Sequence, residues 1–393
     1  MEQGLVTGLA VAMVVFAAPL FLDLALCVAG NLFRPRKPGG EMRRQIRLAV
    51  VVPAHDEETM IARTVLSLRE AGAGVDLFVV AHNCADRTAK AAADAGAQVV
   101  ELNNPKLCGK GAALRAGFAA ALAAGANAVL VVDADSVVSG NLIHATRTML
   151  EQGAEATQCR YELEMPGPGA GAHPLARLRA LAFRGMNVLR AKGRAGLGFS
   201  TGLFGNGFAL TTDLLERVPF RVNSIAEDVE YHTRLVAEGV QVYWVEDACV
   251  HAHSPASSAA QATQEARWEG GRLHVASRAT RRLLSALLRG RWRSVETLAD
   301  VWSLPLSRGV LALTLTAALE VHWLHVFALG CAAICGVYVA ESVLLGAEPM
   351  RDVAALLGAP LYMVWKALIT PLVLRQSRSR AAWARTKREA PQP

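Results

Sequence analysis

The sequence lacks several of the patterns that would place a protein at once. It has no internal repeat and no G-x-G-x-x-G fingerprint of a dinucleotide site. Its seven cysteines are scattered and odd in number, so no disulfide framework is implied and a reducing compartment fits. Cys331 and Cys335 fall in an apolar run and read as packing residues. Charge is missing from long stretches at both ends. Leu5 to Phe33 holds one charged residue, Asp23, over more than the roughly 20 residues that cross a bilayer. Met1, Glu2 and Gln3 bring no positive charge and no small-residue cleavage site is evident, which disfavours a signal peptide. Residues 1–33 are therefore expected to be an uncleaved anchor, with Asp23 a tolerated polar residue near the interface.

What stands beside these runs is positive charge. Arg34, Arg36, Lys37, Arg43, Arg44 and Arg47 follow the anchor, which by the positive-inside rule puts the next domain in the cytoplasm. In the region 300–374, Leu304–Leu319 and Trp323–Leu345 read as two further spans. Val353–Leu374 is broken by Pro360, Lys366 and Pro371, so it reads as an interfacial or re-entrant helix. The tail, 375–393, has six basic residues against one acid, Glu389, and a cytoplasmic tail requires an even number of spans between it and the cytoplasmic domain. The net charge of +7 thus clusters beside apolar segments. That suits anionic lipid headgroups and a multi-pass protein of the inner or plasma membrane, not a nucleic-acid partner.

Residues 45–270 have the size of one domain. Strands are expected at Leu48–Val52, Leu77–Val80, Ala97–Glu101 and Ala128–Val132, alternating with helices at Glu57–Ala71, Arg87–Ala95 and Gly111–Ala124. Such alternation argues for an α/β fold with a mostly parallel sheet and helices on both faces. Ligands bind beyond the carboxyl ends of such strands, where VVPAHDEE, AHNCAD and DADS lie. Glycine-rich stretches follow at 167–171 and 193–207. Residues 271–296 form a separate segment: Arg272–Arg293 has seven arginines and no acid, and reads as an amphipathic helix on the membrane or docked to the domain.

The chemistry-bearing residues each carry a plain alternative. Asp133-Ala134-Asp135 ends a strand of β-branched residues, and two carboxylates there suit Mg²⁺ or Mn²⁺; a solvated turn would look the same. Lys110, in Gly109-Lys110-Gly111, could meet a phosphate near a helix N-terminus or lie exposed there. Asn83 and Asp86 could bind a ligand or cap the next helix. Asp56, Glu57 and Glu58 open a helix, where acids suit the dipole. Glu227-Asp228 sits just after Ser224, a candidate N-cap, and Asp228 could serve as a general base or as a first-turn acid. Gln264, Arg267 and Trp268 share a helix face that suits phosphate and a flat ring, or an interfacial Trp/Arg pair. His251 and His253 read as ordinary polar residues at a strand end.

In this order the segments VVPAHDEE, AHNCAD, GKGAAL, DAD, TGLFGNG, AEDVE and QEARW resemble the family 2 glycosyltransferases, from Val51 to Trp268. The order D, D-x-D, E-D, Q-x-x-R-W is shared with ceramide glucosyltransferase-like, cellulose synthase-like and chitooligosaccharide synthase-like enzymes. The resemblance implies a GT-A fold, a nucleotide-sugar donor, a divalent cation and inversion at the anomeric carbon. It implies that Asp56 and Asp86 contact the nucleoside, that Lys110 reaches the phosphates, and that Asp133 lies near the donor. It further implies that Asp135 holds the metal and Asp228 is the base. Gly205, Asn206 and Gly207 would line the acceptor site. Glu227, Gln264, Arg267 and Trp268 would face acceptor and pyrophosphate. Two departures bear on this. Ala81-His82 stands where many members have an acidic pair, and Glu265 stands where many have a basic residue.

The competing readings are a sugar nucleotidylyltransferase, which leaves E-D and QEARW without a role, and a non-catalytic membrane scaffold. Three spans are few for a polymer channel, because polar glycans do not cross hydrocarbon unaided. A lipid or lipid-linked acceptor at the cytoplasmic leaflet is therefore expected, with UDP as the donor nucleotide by family habit. The sequence does not set the oligomeric state.

Overall fold

The computed structural model describes residues 2–39, 42, 45–107, 109–164, 174–222, 224–253, 258–303, 305–317 and 321–378. The glycine-rich stretch 167–171 and most of the basic tail lie outside the described residues. The β-branched runs form eight strands: β1 Leu48–Ala54, β2 Asp76–His82, β3 Gln98–Leu102, β4 Ala128–Val131, β5 Ser136–Val138, β6 Ala156–Leu163, β7 Phe208–Thr211 and β8 Val242–Ala252. They make one sheet in the order β3-β2-β1-β4-β7-β6-β8-β5. The half β3-β2-β1-β4 is parallel, as expected. β7 then runs antiparallel to β4 and β6, β8 is parallel to β6, and β5 is antiparallel to β8. Four parallel and three antiparallel pairings make the sheet mixed beyond β4.

Alternation along β1 explains how both faces are covered. Val50 and Val52 pack with Val65 and Leu68 of α2 (Ile61–Ala71), Ala92 of α3 (Thr88–Asp94) and Leu150 of α5 (Leu142–Glu151). Ala49 and Val51 face the other way. They pack with Leu114 and Phe118 of α4 (Lys110–Ala123), Leu214 of α8 (Thr212–Arg217) and Tyr231 of α9 (Glu227–Ala237). The order 3-2-1-4 reverses between β1 and β4, so a crevice opens there beyond their carboxyl ends.

The expected helix from Glu57 begins four residues later, at Ile61. The backbone amides of Glu57 and Glu58 are drawn instead to Thr88 Oγ1 (2.7 Å) and Asp86 Oδ2 (3.1 Å), pinning this turn to the next one. Ser224 is likewise not the cap of α9: Ala226 occupies that position, and the carboxylate Oδ1 of Asp228 accepts from the Val229 amide at 2.8 Å.

The remaining helices are α1 (Glu2–Gly30), α6 (Pro174–Arg184), a π-helical turn Gly185–Leu189, α7 (Arg190–Leu197), α10 (Ser258–Leu288), α11 (Ser294–Trp302), α12 (Leu306–Ala317), α13 (His322–Leu344), α14 (Pro349–Ala355), α15 (Ala359–Leu368) and α16 (Thr370–Arg378). Among the described residues two helices are long and apolar enough to cross a membrane, Ala10–Gly30 and His322–Leu344. The bent pairs Ser294–Trp302 with Leu306–Leu315 (73°) and Pro349–Leu368 with Thr370–Arg378 (41°) raise this to four if each is one span. Within the span expected at Leu304–Leu319, α12 alone has 12 described residues, which at 1.5 Å each is about 18 Å of a roughly 30 Å core; only with α11 does it reach the length of a span.

One helix, α10, runs through the expected boundary at 270/271 and carries both the QEARW face and the arginine-rich segment. Its Val275, Ala279 and Leu283 pack with Ala226, Val236 and Val301, while Leu284 and Leu288 stay exposed. Helix α1 lies so close to α7 that a Cβ on Gly193 or Gly196 would collide with the α1 backbone at Cys27 and Gly30. Small residues at such a crossing let helix backbones approach.

Candidate active site

The loop between β4 and β5 carries Asp133 and Asp135 out of the sheet at the crevice. Thr64 Oγ1 donates to the Ala134 carbonyl at 2.8 Å and Ser136 Oγ to Asp135 Oδ1 at 3.3 Å, holding the loop from both sides. Asn206 braces it from below, its Oδ1 accepting from the Asp133 amide (3.0 Å) and its Nδ2 donating to Ser136 Oγ (2.9 Å). Lys110 starts α4 as expected. Its ammonium pairs with Asp133, donates to the Gly205 carbonyl at 2.6 Å and stands 3.7 Å from Glu227.

Gly205, with φ +75°, is the point around which these groups close. A Cβ there would sit 3.3 Å from Asp228 Oδ2, 3.4 Å from Lys110 Nζ and 3.7 Å from Glu227 Oε1. The glycine both adopts the left-handed turn and keeps that space empty. Burial pushes the Glu227 carboxyl up to about 7 against the pull of Lys110. Burial also raises Asp228 above the usual aspartate range. A carboxyl group whose pKa is raised by burial is suited to proton transfer.

Asp56 and Asp86 sit one loop away, at the carboxyl ends of β1 and β2. Asp56 adopts φ +54° and accepts from the Ala85 amide at 2.7 Å; Asp86 accepts from the Thr88 and Glu58 amides at 2.9 and 3.1 Å. Their carboxylates and the Cys84 thiol lie within 4.8 Å of one another. Both aspartates therefore tie two turns together, and neither lines the main cavity, whose nearest members are His55 and Glu57. His82, which departs from the acidic pattern, is buried and bonds the Leu107 carbonyl at 2.8 Å; desolvation lowers its pKa.

On α10, Gln264 is buried and accepts from Arg179 of α6. Trp268 rests against the Phe183 ring, 5.8 Å between centroids, with the Arg179 guanidinium 6.0 Å from its own. Glu265 is paired by Arg179 (3.2 Å) and Lys366 (2.6 Å), and these cations hold its pKa down against desolvation, the largest single influence. The extra acid in QEARW is thus compensated from a distant helix, and Lys366, which interrupts an apolar run in the sequence, is its partner.

A cavity of about 1310 Å³ gathers Lys110, Asp133, Asp135, Gly205, Glu227, Asp228, Gln264, Arg267 and Trp268. Asp56, Asp86, Asn206 and Gly207 are not among its lining residues. His253 belongs to it too: its amide donates to the Asp135 carbonyl at 3.2 Å, and its Nδ1 lies 3.3 Å from Glu164, which Arg63 also grips at 2.5 and 3.1 Å. The bonds from His253 and Arg63 bring Glu164 down to about 2. The cavity continues between α1, α12, α13 and α15.

Asp23 is not an interfacial bystander. It is fully buried, pairing with Arg190 and, at 2.8 Å, with Arg194; Asp300 binds both (2.9 and 2.7 Å) and Arg272 (2.6 Å), and Glu296 binds Arg194 (2.5 Å). The clue in the sequence was an acid in an otherwise uncharged run, since such residues are expensive in a membrane unless partnered.

The fold and site can now be set beside known proteins. No curated protein matches the chain. A mannosyltransferase from Pyrobaculum calidifontis, solved with GDP-Man and Mn²⁺, is similar over 92% of this chain and 99% of its own, with 17% identity and a TM-score of 0.54. Glucosyl-3-phosphoglycerate synthase from Mycobacterium tuberculosis, solved with Mn²⁺, UDP and phosphoglyceric acid, aligns over 62% of this chain and 84% of its own at 21% identity and a TM-score of 0.43. The family profile described as glycosyltransferase like family 2 matches residues 45–271, more than half of the chain. The chain belongs to that family, and its mixed α/β sheet is that of a GT-A glycosyltransferase.

Proposed function

We propose that this glycosyltransferase moves a sugar from a nucleotide-sugar donor to a hydroxyl of a lipid or lipid-linked acceptor, with inversion at the anomeric carbon. The observation that carries the reading is one continuous cavity. Its walls run from Asp133, Asp135 and Asp228 to apolar side chains of α1 and α12 such as Phe16 and Val310. A soluble acceptor would need no such apolar extension.

The donor set fits a divalent cation. Asp135 would hold it, with His253 beside it; the imidazole already bonds Glu164 through Nδ1, the usual outer partner of a ligating histidine. When bound, a divalent cation offsets the negative charge of the diphosphate. Asp133 faces the donor, Asp56 and Asp86 support its nucleoside, and Lys110 and Arg267 meet its phosphates. UDP is the nucleotide we assign, and the catalytic domain lies on the cytoplasmic side of the inner or plasma membrane.

Asp228 takes the proton from the acceptor hydroxyl as that oxygen attacks the anomeric carbon. The new bond forms opposite the departing nucleoside diphosphate, so no covalent enzyme intermediate is involved. Gln264 and Trp268 close over the reacting ends. A screen of purified full-length protein against nucleotide sugars and lipid extracts tests this. Release of a nucleoside diphosphate with formation of a glycosylated lipid is expected; release of pyrophosphate would overturn the reading.

A further inference from the structure

We propose that the acceptor reaching Asp228 is an uncharged lipid alcohol and not a lipid phosphate. The inference rests on the transferase reading above and adds the chemistry of the acceptor. It follows from the charges along the path from the membrane side to the base.

That path begins between apolar side chains: Phe16 and Leu20 of α1, Val310 of α12, Val339 of α13 and Met363 of α15. It then passes a collar of ionic groups before the catalytic acids. The collar cations already have carboxylate partners. Arg179 and Lys366 hold Glu265, Lys366 (2.7 Å) and Arg308 (2.7 Å) hold Glu269, and Arg272 holds Asp300. Arg190 and Arg194 hold Asp300 and Asp23.

The whole lining repeats this balance. Among the described residues, eight carboxylates and eight Lys or Arg side chains line the cavity. Asp23 and Glu296 add two more carboxylates behind it. A donor diphosphate and its divalent cation roughly cancel, so binding them frees no positive charge for a second phosphate. A phosphomonoester brings about −1.5 to −2 charges, and a buried charge without a partner costs several kcal/mol. A hydroxyl brings none.

The reaction end agrees. A phosphate oxygen is already anionic and needs no proton removed before it attacks, and two adjacent carboxylates would repel it. A hydroxyl must lose its proton, and Asp228, with Glu227 beside it, lines the cavity that it would enter.

The test uses full-length protein in neutral detergent and two radiolabelled probes of equal chain length, hexadecylglycerol and hexadecyl phosphate. Saturable binding of each is measured, with Ala359→Trp as a variant that narrows the cavity. Hexadecylglycerol is expected to bind at least about tenfold more tightly, a lower bound on the effect of one uncompensated buried charge, and Ala359→Trp to weaken it. The double variant Glu265→Gln/Glu269→Gln releases Lys366 and is expected to strengthen hexadecyl phosphate while leaving hexadecylglycerol unchanged. Equal or tighter binding of hexadecyl phosphate to the wild type overturns the inference, as does saturable binding of neither probe. Mn²⁺-dependent binding of a nucleotide-sugar panel is measured on the same preparation. If donors bind while the lipid result is adverse, the inference falls and the transferase reading stands; if no donor binds, that reading falls and takes the inference with it.

Discussion

Two charge clusters share one cavity and are built on opposite principles. At the strand ends, Asp133, Glu227 and Asp228 gather around a lysine ammonium, that of Lys110, and Asp135 lines the same cavity. Among the apolar helices, Asp23, Glu296 and Asp300 meet Arg190, Arg194 and Arg272, three acids against three guanidinium groups. The first is acid-rich and its Glu227 is pushed up to about 7. The second is balanced and joins helices distant in sequence. An excess of acid in a crevice marks chemistry that a ligand completes; a balanced cluster marks a joint. The joint fastens α1 to α7 and α11, so the apolar helices stay aligned with the crevice.

Breaking each cluster should therefore give different symptoms. Asp228→Asn removes the base and should lower kcat about 10²- to 10⁴-fold with donor affinity little changed, as isothermal titration and turnover would report. Asp23→Ala leaves two buried arginines short of a partner and should cost about 3–5 kcal/mol of stability, seen as a large drop in the thermal midpoint of detergent-purified protein. If Asp23→Ala instead spared stability, the joint would be a misreading.

Smaller effects sharpen the contrast. Glu164→Gln weakens the outer support of His253 and should raise the Mn²⁺ concentration for half-maximal activity about 10- to 100-fold without loss of fold. Lys110→Met should move the acid limb of the pH–rate profile upward at saturating donor. The sign follows from Lys110 favouring the ionised forms of Glu227 and Asp228. Without it both carboxyls bind protons more tightly, and less base is available at a given pH. A limb that moved downward would contradict the placement of Lys110.

Much of the crevice was legible from local pattern. Strand–helix alternation fixed β1 to β4, and polar residues after each strand located Asp133, Asp135 and Lys110. The helix start carrying Glu227 and Asp228 was legible too, although its cap was not, because Ala226 and not Ser224 occupies that position. What escaped was non-local. β7 inserts antiparallel between β4 and β6, strands that lie far before it in the sequence. Asp23 finds Arg190 across 167 positions, and Lys366 finds Glu265 across 101. Asn206 was expected to face the acceptor, yet it is buried beneath the acidic loop, where its amide satisfies the Asp133 and Ser136 groups.

The most direct test compares wild type and Asp228→Asn in liposomes, following radiolabelled sugar from the donor into the lipid phase while donor binding is measured in parallel. The account predicts transfer by the wild type, donor binding by both, and loss of transfer in Asp228→Asn. Near-normal transfer by the variant would contradict it.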